Sequence, residues 1–420
     1  MDISRKDIDL MAPVGSFESL YAAINAGADS VYFGLRKLNM RARSSVNFSE
    51  NDLEEITRIC IENNVRTYLA MNIVLYDSEM EELKKIIDLA VKNNVDAIIA
   101  ADHAAIMHAR NSGMKVHIST QVNISNVESL KFYSNYADVV VLARELNLEQ
   151  VMEINAQIVK QNITGPSGKL IKLELFAHGA LCMSISGKCY LSLHNHSYSA
   201  NRGACLQDCR RAYTVIDKET ETELDIDNEY IMSPKDLRTI HFLNKIIEAG
   251  VRVLKIEGRA RPPEYVKTVV ECYNEAIKSL EDGSYSKAKI DKWTDRLATV
   301  FNRGFWNGYY LGQQLGEWSD VYGSRATRKK IYIAKGMNYF SNIKVAEFLC
   351  EAGKLRVGDE IIITGPTTGV IQDKIREIRV DLKNVEETNQ GERFSIPLEH
   401  TIRRSDKLYK WVKNNEQKAK

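Results

Sequence analysis

Four of the seven cysteines in this 420-residue chain lie close together. Six residues separate Cys182 from Cys189, fifteen more precede Cys205, and a further three precede Cys209. Four thiols at short range are the ligands that a tetrahedral metal ion or an iron–sulfur cluster requires. This cysteine segment is therefore the strongest chemical signal in the sequence.

The cysteine spacing leaves more than one kind of site open. Zinc ribbons usually contain Cys-x2-Cys pairs, whereas the pairs here are separated by six and three residues. Iron–sulfur clusters tolerate varied spacing, so the pattern favours a cluster over zinc or free redox-active thiols. The remaining cysteines, Cys60, Cys272 and Cys350, lie in helical or apolar stretches and are expected to be small core residues.

The first part of the chain alternates short β-branched stretches with amphipathic stretches, which is typical of parallel βα units. Eight such units within one domain favour a closed α/β fold, the (β/α)8 TIM-like barrel, over an open sheet. The eight predicted strands are Ile8–Pro13, Ser30–Leu35, Val65–Asn72, Ala97–Ala101, Val116–Thr120, Val139–Leu142, Lys172–Ala177 and Val251–Glu257.

Changes of pattern divide the chain into four predicted parts. Residues 1–265 form the barrel, which carries a long cysteine-bearing insertion near residues 178–250. Residues 266–327 are a helical and loop extension, residues 328–412 a small C-terminal antiparallel β-barrel domain, and residues 413–420 a frayed tail. Within the insertion, Ser233 suits a helix N-cap and Pro234 the first turn, so we predict a helix over Ser233–Ala249.

Polar residues follow the predicted strands, and a barrel gathers such residues at the mouth formed by the carboxyl ends of its strands. Arginine binds carboxylates bidentately, so this mouth suits a small acidic substrate. Any single member could instead serve only as a helix cap or an internal ion pair. The candidates are His178, Glu257 and Gln121 for catalysis, and Arg41, Arg43, Asn72, Arg144 and Arg259 for substrate binding.

The overall charge gives no general attraction to nucleic acid, since 57 basic residues oppose 56 acidic ones. Local basic clusters lie around Arg36–Arg43, Arg202–Arg211 and Arg325–Lys330, and they could bind RNA or simply be solvated. No apolar run is long enough for a membrane span, and Met1–Lys6 lack the core of a secretory signal. We therefore expect a cytoplasmic protein that does not bind membranes.

The sequence gives little support for peptide hydrolysis. It contains no Gly-x-Ser-x-Gly elbow and no His-Glu-x-x-His motif. Ser184, Ser186 and Ser192 lie near His194 and His196, but their spacing does not indicate a triad.

Several stretches of the chain carry a family resemblance. They are Met11–Gly15, Ala26–Asp29, Val31–Gly34, Arg41–Arg43, Glu174–Cys182, Ser186–Ser192, Asn201–Cys205, Ile231–Leu237, Lys255–Arg259 and Asn302–Phe305. Together they resemble the collagenase-like peptidase family U32. The resemblance covers nearly the whole chain, and its cysteine signature is the most specific part.

The resemblance implies two kinds of activity. The family is named for collagen degradation, yet better understood members hydroxylate a tRNA wobble uridine, a ribosomal cytidine or quinone precursors. It further implies 4Fe-4S ligands at Cys182, Cys189 and Cys205. Cys209 and the C-terminal β-domain resemble the branch that forms 5-hydroxyuridine in tRNA with prephenate.

We therefore expect a tRNA uridine hydroxylase with a 4Fe-4S cluster on the four cysteines and a prephenate-like dicarboxylate at the barrel mouth. The alternatives are a peptidase and a zinc-stabilised RNA-binding protein without catalysis. An oligomer or a paralogous partner chain is compatible with each of them.

Overall fold

Ten strands form the first sheet of the protein. They are β1 (Asp9–Pro13), β2 (Ser30–Phe33), β3 (Arg66–Met71), β4 (Ala97–Ala100), β5 (Lys115–Ile118), β6 (Val139–Val141), β7 (Lys172–Gly179), β8 (Asp236–Arg238), β9 (Val251–Ile256) and β10 (Phe305–Trp306). The computed structural model describes residues 4–43, 47–223, 230–313, 315–321 and 323–414. Strands β1–β7 and β9 are parallel, and β9 pairs with both β1 and β7. The predicted (β/α)8 barrel is therefore confirmed.

The barrel strands are buried on both faces, which explains their nearly continuous β-branched and apolar composition. Inside the barrel, Met11, Tyr68, Ile99 and Val253 pack in one apolar cluster. Outside it, the helices contribute their apolar stripes to a second and larger core.

The helices begin at capping residues that the sequence supplies. Ser16 and Asn126 accept hydrogen bonds from backbone N–H groups in the first turns of α1 and α5, and Asn147 forms a capping box with Gln150 before α6. The ten helices of the described residues are α1 (Phe17–Asn25), α2 (Leu53–Glu62), α3 (Met80–Lys92), α4 (His103–Asn111), α5 (Val127–Ser134), α6 (Leu148–Lys160), α7 (Leu191–His196), α8 (Leu243–Glu248), α9 (Pro263–Glu281) and α10 (Lys287–Ala298).

The cysteine segment leaves the barrel at the end of β7 and returns in β8, which is antiparallel to β7. The predicted helix over Ser233–Ala249 is wrong in its first half. Pro234 forms an antiparallel bridge with Trp318, and Asp236–Arg238 is the strand β8, so only Leu243–Glu248 is helical. Long-range pairing therefore overrides the local capping signal.

The C-terminal strands form a separate eight-stranded antiparallel sheet. They are β11 (Arg328–Phe340), β12 (Val345–Cys350), β13 (Glu360–Gly365), β14 (Gly369–Lys374), β15 (Ile378–Val380), β16 (Lys383–Val385), β17 (Arg393–Pro397) and β18 (Lys407–Lys413). Trp411 and Val370 of this sheet pack on Ala22 of α1, which attaches the sheet to the barrel.

The predicted frayed tail lies mostly outside the described residues, which end at Asn414. Across the described ranges, none of the helices combines the length and the apolar character needed to cross a bilayer.

Candidate functional site

The carboxyl ends of the barrel strands and the cysteine segment enclose a cavity of about 850 Å³. Cavities at this face are where barrel enzymes place their active sites. The structure thus brings most of the predicted site residues together. Those on the cavity wall are Arg41, Asn72, Gln121, Arg144, Glu257, Arg259, Cys182, Cys189, Cys205 and Cys209.

Glu257 follows β9 and is the centre of the charged part of the cavity. Its Oε1 accepts a hydrogen bond from Arg41 Nη2 at 3.1 Å, and its Oε2 accepts one from the Tyr32 hydroxyl at 3.0 Å. Burial favours a raised pKa, but Arg41, followed by Arg259 and Arg144, lowers the pKa of Glu257 to about 2. Glu257 is therefore an anion near neutral pH. It positions the neighbouring arginines and is not suited to exchanging protons.

Arg259 is buried, and Asn39 holds its guanidinium in place. Its Nη1 donates to Asn39 Oδ1 at 3.1 Å, and the same oxygen accepts the Arg41 backbone N–H at 2.9 Å. A Cβ on Gly34, at the end of β2, would lie 2.5 Å from Arg259 Nη1. The glycine thus leaves the space that the guanidinium occupies.

Two side-chain amides line the neighbouring wall. Asn72 Nδ2 donates to Gln121 Oε1 at 3.2 Å, and the Ser119 hydroxyl donates to the same oxygen. Asn72 Oδ1 accepts the backbone N–H of Met40 at 3.2 Å. An amide does not titrate, so Gln121 can orient a ligand but cannot serve as a general acid or base.

Positive charge dominates the cavity wall. Among the described residues, eight cationic side chains line it and Glu257 provides the single carboxylate; the cations are Arg41, Arg144, Lys188, Arg210, Lys255, Arg259, Arg261 and Arg303. The fully buried Glu174 neutralises Lys255, because its Oε1 lies 2.8 Å from Lys255 Nζ. The remaining excess favours a ligand that carries more than one negative charge.

All four cysteines of the segment face this same cavity. Burial raises the pKa of the Cys209 thiol to about 11, Arg210 opposes the rise, and the nearby Cys182, Cys205 and Cys189 add to it. A bound cationic centre would reverse this balance and favour the thiolates.

The four thiols fit a soft-metal centre by their chemistry, and Glu257 is the one carboxylate that the described residues place on the same wall. In the described part of the chain, no three Cys, His, Asp or Glu side chains are grouped so as to hold one metal ion. A four-iron cluster has a different requirement, because each thiolate binds a separate iron.

Side-chain bonds attach the cysteine segment to the barrel. Arg202 forms a two-pronged ion pair with Glu79 and stacks on Tyr76, with its guanidinium carbon 3.6 Å from the ring centre. Asn123 Nδ2 donates to the Ser186 carbonyl at 3.0 Å. These bonds position the thiols over the barrel mouth rather than on a free loop.

Two predicted residues lie off the cavity wall. Arg43 stacks on Tyr198, 5.2 Å from the ring centre. His178 is 1% exposed and packs against Tyr273 and Phe305. Burial lowers the pKa of His178 to about 3, helped by nearby arginines, so the ring is neutral. Its position offers no contact with a ligand in the cavity.

Four residues that shape the site were not predicted from the sequence. Tyr32 and the Lys255–Glu174 pair are polar groups inside apolar barrel strands, which is a signal that could have identified them. Asn39 lies in the loop after β2 and bridges Arg41 to Arg259. Its role depends on contacts that no local pattern shows.

Substituting Glu257 tests the charge network. We expect Glu257→Gln to lower the free energy of unfolding by about 3–5 kcal/mol at neutral pH, because it removes the negative charge that offsets Arg41, Arg259 and Arg144. The folded pKa of about 2 lies below the ordinary 4.5, so the ionised carboxylate stabilises the fold above pH 4.5 and this contribution is lost as pH falls towards 2. Urea unfolding at stepped pH should show the difference from wild type shrinking below pH 4.5.

The matched control is Glu399→Gln, which removes an exposed carboxylate paired with Lys344 and should change stability little. A Glu257→Gln difference that is small at neutral pH, or that does not depend on pH, would contradict the assignment.

Comparison with known proteins identifies the family. A protein named Collagenase from Porphyromonas gingivalis strain W83 is 60% identical over 410 residues, spanning 98% of this chain and 99% of that protein. The tRNA hydroxylation protein P1 of Bacillus subtilis is 29% identical over 369 residues, spanning 86% of this chain and 84% of its own.

A 23S rRNA 5-hydroxycytidine synthase of Escherichia coli is 33% identical over 324 residues, spanning 76% of this chain and 47% of that protein. The profile of Peptidase family U32 matches residues 15–320, which include the barrel after β1, the cysteine segment and the residues that line the cavity. This protein therefore belongs to peptidase family U32.

Proposed function

We propose that this protein is an RNA-modifying enzyme that hydroxylates a tRNA uridine at C5. The observation that carries the proposal is the joining of four cysteines and an arginine-rich, carboxylate-poor wall in one cavity. Relatives named for tRNA hydroxylation and for rRNA hydroxycytidine synthesis align with most of the chain, which supports an RNA substrate.

A prephenate-like dicarboxylate fits the charge of the cavity. Arg144 stacks on Phe176, and its buried Nε lacks a hydrogen-bond partner within the described residues. Arg259 is oriented by Asn39, and Glu257 keeps Arg41 in place. In this proposal Arg144 and Arg259 bind the two carboxylates, and Gln121 orients the co-substrate through its amide.

The reaction replaces the C5–H bond of the base with a C5–OH bond, which is a two-electron oxidation. The proposed oxygen donor and electron acceptor is the hydroxyl-bearing dicarboxylate, whose C–OH becomes C–H as the hydrogen displaced from the base is transferred. Cys182, Cys189, Cys205 and Cys209 would hold a 4Fe-4S cluster, which supplies electron-transfer chemistry when bound. Glu257 fixes the positions of its arginines, and these would hold the anionic co-substrate.

A peptidase is the second candidate, because the relative that is 60% identical carries the name Collagenase. The side-chain geometry supports it less. Ser192 Oγ and His196 Nε2 both contact Asp208, at 3.3 and 3.0 Å. The carboxylate thus lies between hydroxyl and imidazole, whereas in a hydrolase triad the imidazole lies between hydroxyl and carboxylate.

Metal content separates the proposed cluster from a zinc site. Protein purified anaerobically should contain about four iron and four sulfide ions per chain, with visible charge-transfer absorbance. Cys209→Ser should lose most of the iron, whereas Cys60→Ala, which alters a buried cysteine of α2, should retain it. Equimolar zinc without iron would contradict the cluster and favour a zinc-stabilised RNA-binding protein.

Nucleoside mass spectrometry of tRNA tests the activity. In a host that has no paralogue, a strain that lacks the gene for this protein should contain no 5-hydroxyuridine or its derivatives in tRNA. Expression of the wild-type protein should restore these nucleosides. Arg144→Leu should fail to restore them because a carboxylate loses its partner, while Arg58→Leu, on the exposed face of α2, should succeed. Unchanged 5-hydroxyuridine in the deletion strain would refute the proposed function.

A further inference from the structure

A smaller pocket of about 180 Å³ adjoins the main cavity. Cys182 and Arg144 line both, so the two spaces share a wall at the cysteine segment. The volume is below the roughly 300 Å³ at which typical small-molecule sites begin, which suits one ring rather than a whole nucleotide. The neighbouring aromatic walls are Trp306, Tyr309 and Trp318, joined by Pro234 and Gly316.

The aromatic walls are fixed by backbone pairing. Trp306 lies in β10 opposite Leu237 of β8, and Trp318 bridges Pro234. Trp306 and Tyr309 meet edge to face, with ring centres 5.3 Å apart. A rigid aromatic pocket loses little entropy when a flat ring enters it.

Arg210 links this pocket to the cysteines. Its guanidinium donates to the carbonyls of Pro234 and Leu181, at 2.5 and 2.6 Å, and its chain neighbour is Cys209. The pocket and the thiols are therefore parts of one connected structure.

Two residues that line the pocket carry buried N–H groups without a hydrogen-bond partner among the described residues. Trp306 is 5% exposed, and its indole Nε1 has no hydrogen-bond partner in the residues that the structure describes. The Nε of Arg144 is likewise buried and unpaired. Both N–H groups are enclosed by protein, so the recognition of a ring in the pocket rests on the aromatic walls.

We propose that this pocket, here called the aromatic pocket, receives the pyrimidine base of the RNA substrate after the base has left its stack. The inference rests on the proposed function and specifies where its RNA substrate binds. Enzymes that act on a base extrude it into a fitted pocket, and aromatic stacking holds it there. The cationic main cavity then lies beside the base and holds the anionic co-substrate.

Binding of matched RNAs tests the aromatic pocket. The probes are an anticodon stem-loop with a wobble uridine and the same RNA with an abasic residue at that position. Wild-type protein should bind the uridine RNA about tenfold more tightly, because stacking of one base contributes on that order. Trp318→Ala should bind both RNAs with the affinity that wild type shows for the abasic one.

Two further variants control for misfolding of Trp318→Ala. Trp318→Phe keeps a stacking ring and should retain most of the discrimination, and Phe132→Ala, an exposed aromatic of α5, should discriminate as wild type does. Equal binding of both RNAs by wild type, or full discrimination by Trp318→Ala, would contradict the base-binding role of the aromatic pocket. Neither result would contradict the proposed RNA modification. Failure of wild type to bind either RNA would overturn both.

Discussion

The site depends on one largely enclosed carboxylate, Glu257, which cations surround. Glu257 contacts Arg41 directly, and Arg259 and Arg144 contribute to its depressed pKa. Without an internal anion, bringing these guanidiniums together in a buried space would be strongly unfavourable. With only one, the wall keeps an excess of positive charge that a bound anion can neutralise. The same residue thus stabilises the fold and leaves an excess of positive charge on the cavity wall.

The second constraint is the attachment of the cysteine segment. The segment has little regular structure of its own, so its thiols need external bonds to stay over the barrel. Gly179 allows it to depart from β7, because a Cβ there would lie 2.3 Å from the Glu257 carbonyl oxygen. Arg202 and Arg210 then fix its later part through Glu79 and through backbone carbonyls. The route of the chain therefore joins the thiols to the charged wall.

Much of this arrangement could be predicted from sequence, for physical reasons. Strand and helix periods are local, and a closed barrel brings residues after its strands to one face, so Asn72, Gln121 and Glu257 were identified from position alone. Side-chain direction is not local. His178 follows the same rule yet turns into an aromatic cluster. The helix predicted at Ser233 failed because Pro234 pairs with a residue far along the chain.

The aromatic pocket shows the same limit, since Trp306 and Trp318 come from the part of the chain, residues 266–327, that was predicted only as a helical and loop extension. The most direct test of the whole account is anaerobic incubation of the purified protein with prephenate and an unmodified tRNA transcript, followed by nucleoside mass spectrometry. The account predicts that one uridine gains a single oxygen atom, and only when prephenate is present. Unmodified tRNA, together with release of peptides from gelatin by the same preparation, would contradict it.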